Sequence, residues 1–269
     1  MPEAFEIHFS VKEPVALLGL GGEALYGLTM NLLGLVDLTV ARRLHQSPSP
    51  PPFALSPVLK LSEKAERRNQ QTLLRENVVY RFFLSTLTPE MLELWIAGIH
   101  QVFKHRKPLF LGGVPFVLEK FHPRQAILYP DLVTFGRETA ARRLAFHFLS
   151  PTTFRRDPDG VAQYRVFPTP EYVFSSLWTR WHLFSEVPLG SEPPDFSLIR
   201  VQRYQLRTVG VRFYGYQVIG FLGQVVYEVP PSLDEFRSLL VTLTAFAPYS
   251  GVGYHCAMGL GRVRTHWWE

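Results

Sequence analysis

The feature that most constrains the fold is an order of elements that the chain runs through twice. Apolar and polar residues alternate from Phe5 to Lys12, which predicts a half-buried strand. A helix is expected from about Gly22 to Leu44, because the prolines of QSPSPPPF cannot continue it. FALSPVLKL and VVYRFFLST then read as strands, TPEMLELWIAGIHQVFKH as a helix with Thr88 as its N-cap, and KPLFLGGVPFVLEKF as a closing strand.

The second half repeats this order after a connector near Tyr129–Glu138. RRLAFHFLS predicts a strand, TPEYVFSSLWTRWHLFSE a helix, and the segment from Ser197 to Val229 two long strands. A helix starting at Ser232 and an arginine-containing strand complete the set. The pattern predicts an α+β protein of two tandem ferredoxin-like (RRM-like) domains, each a four-stranded antiparallel sheet with two helices. We place them at residues 1–136 and 137–269, with a one-domain mixed fold as the alternative.

Most of the basic residues are arginines and few are lysines. The net charge of +5 favours polyanionic partners only weakly, but the chain has 22 arginines and only six lysines. Arginine forms planar contacts with phosphates and stacks on bases, which suits a nucleic-acid partner. A GC-rich genome would give the same bias without any function, so both readings stay open.

The composition also bears on location. Cys256 is the single cysteine, which permits no intrachain disulfide and favours a reducing cytoplasm. The N-terminal MPEAFEIHFSVKE is charged and alternating, unlike a signal peptide. The longest apolar candidate for a membrane span, Ala24–Val36, has 13 uncharged residues between Glu23 and Asp37, whereas a bilayer span needs about 20. We therefore expect a cytoplasmic protein without a membrane partner.

A glycine-rich segment, YSGVGYHCAMGLGRVR, begins at Tyr249. It lacks the third glycine of a dinucleotide fingerprint, follows a helix rather than a strand, and contains no G-K-[ST]. Nucleotide loops of both kinds are thereby disfavoured. Four glycines beside Arg262 and Arg264 favour an anion-binding loop built from backbone N–H groups, and a helix C-cap followed by a tight turn is the alternative.

The two long strands of the second half carry a cationic pattern. No acidic residue occurs from Leu198 to Tyr227, and Arg203, Gln205 and Arg207 share one predicted face. An ordinary exposed hairpin would mix both signs of charge. This strand pair therefore favours contact with nucleic acid.

Taken in order, these segments resemble the CRISPR-associated repeat-processing endoribonucleases of the "Cas-six" type, in the RAMP superfamily of tandem ferredoxin folds. The closing AFAPYSGVGYHCAMGLGRVR is the strongest element, followed by LSPTTFRR, YRVFPTPEYVFSSLWTRW and GFLGQVVYEV. Near the N-terminus, YGLTMNLLG and RRLHQSPSPPPFALSPV resemble the family's first helix and its histidine loop. The resemblance covers essentially the whole chain.

The resemblance implies metal-independent cleavage of CRISPR precursor RNA within its repeats, giving mature guide RNAs. The 2′-hydroxyl next to the scissile phosphate would attack it and leave a 2′,3′-cyclic phosphate. Among nine histidines, His45 matches the family's catalytic position, and Tyr26 is a candidate partner. The residues expected to bind RNA are Arg42, Arg155, Arg156, Arg203, Arg207, Gly251, Gly253, Gly259, Gly261 and Arg262. The expected partners are CRISPR repeat RNA, as precursor and as mature guide RNA, and other CRISPR effector subunits. We expect no DNA partner, no metal and no cofactor.

One departure from the family keeps a second function open. Some members carry a lysine shortly after the histidine, and QSPSPPPF has none. Arg42 or Arg43 is a candidate for the missing charge, and His255 is a further candidate for RNA contact. The alternative function is a non-catalytic RNA-binding subunit of a CRISPR effector complex. A nucleotide-using enzyme is disfavoured because the nucleotide motifs are absent.

Overall fold

The computed structural model describes residues 1–61, 67–68, 70–106, 108–156 and 162–269. The α-helices of this part of the chain are α1 (Gly22–Gly34), α2 (Leu38–Gln46), α3 (Pro89–His105), α4 (Tyr129–Glu138), α5 (Pro170–Phe184) and α6 (Arg237–Ser250). The strands are β1 (Glu3–Val11), β2 (Val15–Leu18), β3 (Phe53–Leu55), β4 (Leu59–Lys60), β5 (Arg67–Arg68), β6 (Gln71–Leu74), β7 (Tyr80–Thr86), β8 (Leu109–Leu111), β9 (Val114–Ala126), β10 (Arg143–Thr152), β11 (Phe154–Arg156), β12 (Gln163–Arg165), β13 (Arg200–Phe213), β14 (Tyr216–Glu228) and β15 (Val263–Trp268). None of these helices is long and apolar enough to cross a membrane.

The first sheet has the strand order β3-β7-β1-β9-β8, with β4 also paired to β7. Its pairings are antiparallel. The alternation of β1 places Phe5, Ile7 and Phe9 on the face covered by α1 and α3, where a core forms with Leu25 and Trp95. Burial of these apolar side chains is what fixes the register of the sheet.

The second sheet has the order β13-β14-β10-β15, again antiparallel. Helices α4, α5 and α6 contribute to its core, which includes Leu132, Trp181 and Phe246. Each sheet contains one βαββαβ unit, with its first and third strands in the centre and its second and fourth strands beside them. The central strands are β1 and β7 in the first sheet and β10 and β14 in the second. This is the ferredoxin-like arrangement. The predicted α+β fold is confirmed, and the boundary at residue 136 stays a prediction.

Several predicted elements were wrong in detail. The helix expected from Gly22 to Leu44 is two helices, because Asp37 caps α2 by accepting from the N–H groups of Thr39 and Val40. The connector Tyr129–Glu138 is helix α4. The first sheet also has more strands than the four predicted.

Two further segments differ from the sequence-based expectation. KPLFLGGVPFVLEKF is a hairpin of β8 and β9 rather than one strand, with its turn at Gly112 and Gly113, both at positive φ. The helix expected from Ser232 begins as a 3-10 turn, Pro231–Phe236, and becomes α-helical only at Arg237. Leu233 inside that turn has non-helical backbone angles, so the 3-10 segment is itself kinked.

Candidate active site

A cleft of about 780 Å³ separates the end of α2 and the proline loop that follows it from the second half of the chain. Its opposite wall is made by β11, one side of α5, and the glycine-rich segment of residues 251–262, here called the glycine loop. The cleft is therefore lined by both halves of the chain. It contains several of the residues that the sequence singled out.

His45 and Tyr26 meet in this cleft. Tyr26 lies on α1 with 8% of its surface exposed, and its hydroxyl is 3.5 Å from Nδ1 of the exposed His45 in the last turn of α2. The break at Asp37 allows α2 to return along α1, so that Ala41 packs on the same core as Tyr26. Burial raises the pKa of Tyr26, which keeps its hydroxyl protonated near neutral pH and able to donate.

Arg155 and Arg156 lie across the cleft on β11, and both are exposed. The Arg155 guanidinium donates to the Tyr254 hydroxyl at 2.8 Å and lies 5.4 Å from the centre of that ring. Arg156 lies 5.6 Å from the ring centre of Tyr172. The structure thus brings two of the predicted RNA-binding arginines to the same cleft as His45.

The glycine loop is tightly packed against the rest of the protein. Gly251, Gly253, Gly259 and Gly261 all have positive φ, and a Cβ at any of them would overlap or crowd atoms of the protein itself. Gly261, for example, has no room for a side chain beside the carbonyl of Val252. The loop also packs on the start of α1, since a Cβ on Gly22 would overlap the Met258 carbonyl. These glycines therefore allow close packing between the two halves.

The N–H groups of the glycine loop are largely used within the protein. Those of Gly251, Tyr254 and Gly261 donate to backbone carbonyls, and that of Gly253 donates to the Ser176 hydroxyl. From the sequence we expected the N–H groups of this loop to be open to a phosphate. That expectation is wrong for these four groups. Contact of the four glycines with RNA stays a prediction, and the side chains of the loop are better placed to make it.

His255 is the most constrained side chain of the loop. Its φ is 58°, a left-handed conformation that costs energy in a non-glycine residue. Its Nε2 hydrogen bonds with the Tyr216 hydroxyl at 2.9 Å, and its ring lies 3.7 Å from that of Tyr254. Burial, and then the charge of Arg155, lower the pKa of His255 to about 4. The imidazole is therefore neutral at pH 7.

The other predicted arginines lie outside the cleft. Arg42 is on α2, beside a surface hollow that it lines together with Thr39 and Gln46. Arg203 and Arg207 are exposed on the helix-free face of the second sheet, opposite Val226 and Leu222. They are solvent-accessible cations, but the structure does not bring them to His45.

Arg262 was expected at the rim of the glycine loop, and the structure places it elsewhere. Its guanidinium stacks on Phe83 of the first sheet, 3.8 Å from the ring centre. Burial, followed by the charges of Arg264 and Arg81, lowers its pKa to about 10. A half-buried cation over an aromatic ring at the contact between the sheets is not a rim contact, and contact of Arg262 with RNA stays a prediction.

Arg180 is a residue of the cleft that the sequence reasoning missed. It lies on α5, lines the cleft, and has only 4% of its surface exposed. The helix was predicted with Val173, Leu177 and Trp181 on its apolar side, and helical spacing places residue 180 on that side too. A cation on a buried helix face was the signal that could have found it.

Among the described residues, no group of three histidine, cysteine or carboxylate side chains could hold a metal ion. Metal independence stays a prediction.

Comparison with known proteins agrees with this geometry. A family model described as "CRISPR-associated endoribonuclease Cas6" matches residues 146–263. A curated protein of that name from Mycobacterium tuberculosis is 25% identical over 204 residues, which cover 73% of this chain and 62% of the relative. The aligned part thus spans less than two thirds of the relative's length.

Solved structures match over nearly the whole chain. A Thermus thermophilus Cas6 in a product complex has 24% identity and a TM-score of 0.80, covering 99% of this chain and 100% of that one. A second Cas6 product complex has 25% identity and a TM-score of 0.72, with 98% and 99% covered. The resemblance predicted from the sequence is confirmed: the chain is similar, in sequence and in fold, to CRISPR-associated endoribonucleases described as Cas6.

Proposed function

We propose that this protein is an endoribonuclease that cuts CRISPR precursor RNA within its repeats to give mature guide RNAs. The observation that carries the proposal is the contact of Tyr26 with His45 in a cleft whose other wall carries Arg155 and Arg156. Solved relatives described as Cas6 product and substrate-mimic complexes support a nucleic-acid ligand in this fold. The proposed location is the cytoplasm.

The chemistry needs three things that this cleft can supply. A 2′-hydroxyl must lose a proton, the leaving 5′-oxygen must gain one, and charge that develops on the phosphate needs cationic or N–H donors. An imidazole can move a proton in either direction near neutral pH. His45 fills that role in our proposal, Tyr26 orients it by donating to Nδ1, and the reaction ends in a 2′,3′-cyclic phosphate without a metal.

The proposed RNA path extends beyond the reacting phosphate. Arg155 and Arg156 would hold backbone phosphates at the cleft, while Arg42, Arg203 and Arg207 are proposed as more distant contacts because they are exposed. Each contact releases counterions from RNA and so adds to the salt dependence of binding.

A non-catalytic RNA-binding subunit of an effector complex is the second candidate. Two observations favour it. The segment after His45 carries no lysine, and the 3.5 Å separation of Tyr26 and His45 is long for a hydrogen bond. Long catalytic hydrogen bonds are common in free enzymes and shorten with substrate, so the enzyme remains our proposal.

The test is cleavage of a labelled repeat RNA in EDTA. We expect a single cut that leaves a 2′,3′-cyclic phosphate. A matched RNA with one 2′-deoxynucleotide before the cut should bind equally well and stay intact. Binding of the unmodified RNA without any cut would favour the non-catalytic subunit. Cleavage that EDTA abolishes and Mg²⁺ restores would contradict the metal-free reaction.

A further inference from the structure

Arg180 is a buried charge in the wall of the cleft. It projects from α5, with 96% of its surface covered, into a space shared with β3, α4 and the glycine loop. Its guanidinium lies 5.7 Å from the ring centre of Phe184. Tyr129 and Cys256 are close enough to influence its charge, and neither is an acid that would pair with an arginine at neutral pH.

The guanidinium is poorly satisfied within the described part of the chain. Its Nη2 donates to the Phe53 carbonyl at 3.5 Å, at the outer limit of a hydrogen bond, and its Nε is buried without a partner. No carboxylate among the described residues forms an ion pair with it. An arginine can donate five hydrogen bonds, and burial of such a cation without an anion is unfavourable.

Glu6 shows how a buried charge of this chain is paired when a counter-charge is at hand. The buried carboxylate of Glu6 is bound by Arg81 at 2.9 Å and by Arg124 at 2.6 Å, and it also contacts His8. The difference indicates that the anion for Arg180 is not supplied by the described part of the chain. Because Arg180 lines an open cleft, an anion that enters the cleft can reach it.

We propose that Arg180 binds an anion in this cleft and contacts the phosphodiester that is cut, whereas Arg155 and Arg156 hold neighbouring phosphates. The proposal rests on the proposed function, which places that phosphodiester beside His45 in the same cleft. A phosphate oxygen provides the acceptors that the guanidinium lacks, in the planar geometry that arginine favours. Arg180 then supplies positive charge beside the reacting phosphate.

The test uses two variants of Arg180 and one control. Arg180→Met removes the charge with little loss of volume, and Arg180→Lys keeps the charge but loses the planar fork. Arg137→Met is the control, because Arg137 is an exposed arginine of α4 outside the cleft. Each is compared with wild type for single-turnover cleavage of repeat RNA, and for the salt dependence of binding to the repeat with a 2′-deoxynucleotide at the cut.

Loss of one preorganised donor to the reacting group slows a reaction by about 10²–10³-fold. We expect that loss for Arg180→Met, a smaller one for Arg180→Lys, and wild-type behaviour for Arg137→Met. The slope of log affinity against log salt should fall by about 0.7 in Arg180→Met, the value for one phosphate contact to a single strand. A folded Arg180→Met variant with wild-type rate and slope would overturn the proposal.

A second measurement does not depend on the variants folding. The Nε–H resonance of Arg180 in ¹⁵N-labelled wild type should shift and become protected from exchange when the uncleavable repeat binds. An unchanged resonance in the RNA-bound protein would overturn the proposal even if every variant unfolds. Wild type that cleaves while Arg180 is unaffected would reject this role alone, whereas wild type that neither cleaves nor binds the repeat would reject the proposed function itself.

Discussion

His255 should make the stability of the protein sensitive to mild acid. Its pKa is lowered from 6.5 to about 4 by burial and then by Arg155. At pH values between these two pKa values, His255 is protonated in the unfolded chain but stays neutral in the folded protein. The stabilisation is therefore complete above pH 6.5 and is lost progressively as the pH falls from 6.5 through about 4.

The magnitude follows from the size of the shift. Each pKa unit corresponds to about 1.4 kcal/mol of difference between the two protonation states. A shift of about 2.5 units therefore gives a maximum near 3 kcal/mol, and the partial exposure of the ring reduces this to about 2–3 kcal/mol. For a domain of ordinary stability this is a large fraction of the total.

The assay is urea unfolding at pH 7.5, 5.5 and 4.0 for wild type and His255→Asn. Asparagine tolerates the left-handed backbone at this position and does not titrate. The variant should be less stable at pH 7.5, because the contacts with Tyr216 and Tyr254 are lost, but its stability should fall less with acid. His100→Asn, at an exposed position of α3, should retain the wild-type slope. Equal slopes in wild type and His255→Asn would refute the reasoning.

Three other substitutions test the packing and the site. Gly22→Ala should lower the free energy of unfolding by about 3 kcal/mol in a urea titration, because the new Cβ would overlap the Met258 carbonyl; a loss below 0.5 kcal/mol would contradict that close contact. Tyr26→Phe should slow single-turnover cleavage by roughly tenfold at unchanged RNA affinity, whereas an unchanged rate would show that its hydroxyl does not orient His45. Glu6→Gln should lower the melting temperature by several degrees, a loss of about 2 kcal/mol, since two arginines bind this carboxylate; an unchanged melting temperature would show that those ion pairs are not stabilising.

The sequence predicted the fold well because its signals were local and consistent. Alternation in β1 correctly placed Phe5, Ile7 and Phe9 in the core, but the strand is not half-buried as predicted, because Glu6 and Ser10 on its other face are buried too. The one-sided apolar pattern of α5 is found.

The apolar run up to Val36 hid the break at Asp37. Helix α4 was predicted to be a connector although Tyr129, Leu132 and Gly136 are buried at helical spacing. Tertiary packing decides such cases.

The site was harder to predict because it is assembled from distant segments. His45 and Tyr26 are 19 residues apart, and their contact requires the turn between α1 and α2. The glycine loop was recognised, but its composition could not distinguish a ligand cradle from close packing against Gly22. Whether its N–H groups find hydrogen-bond acceptors depends on residues that are remote in the chain, and the same holds for the guanidinium of Arg180.

The most direct test of the account is the single-turnover rate of His45→Ala on the protein's own repeat RNA, with affinity measured in parallel. Loss of a general acid or base slows a reaction by about 10²–10⁴-fold. We expect a decrease in that range with an unchanged dissociation constant, while His100→Ala cleaves like wild type. A His45→Ala protein that cuts at the wild-type rate would contradict the assignment of this cleft as the active site.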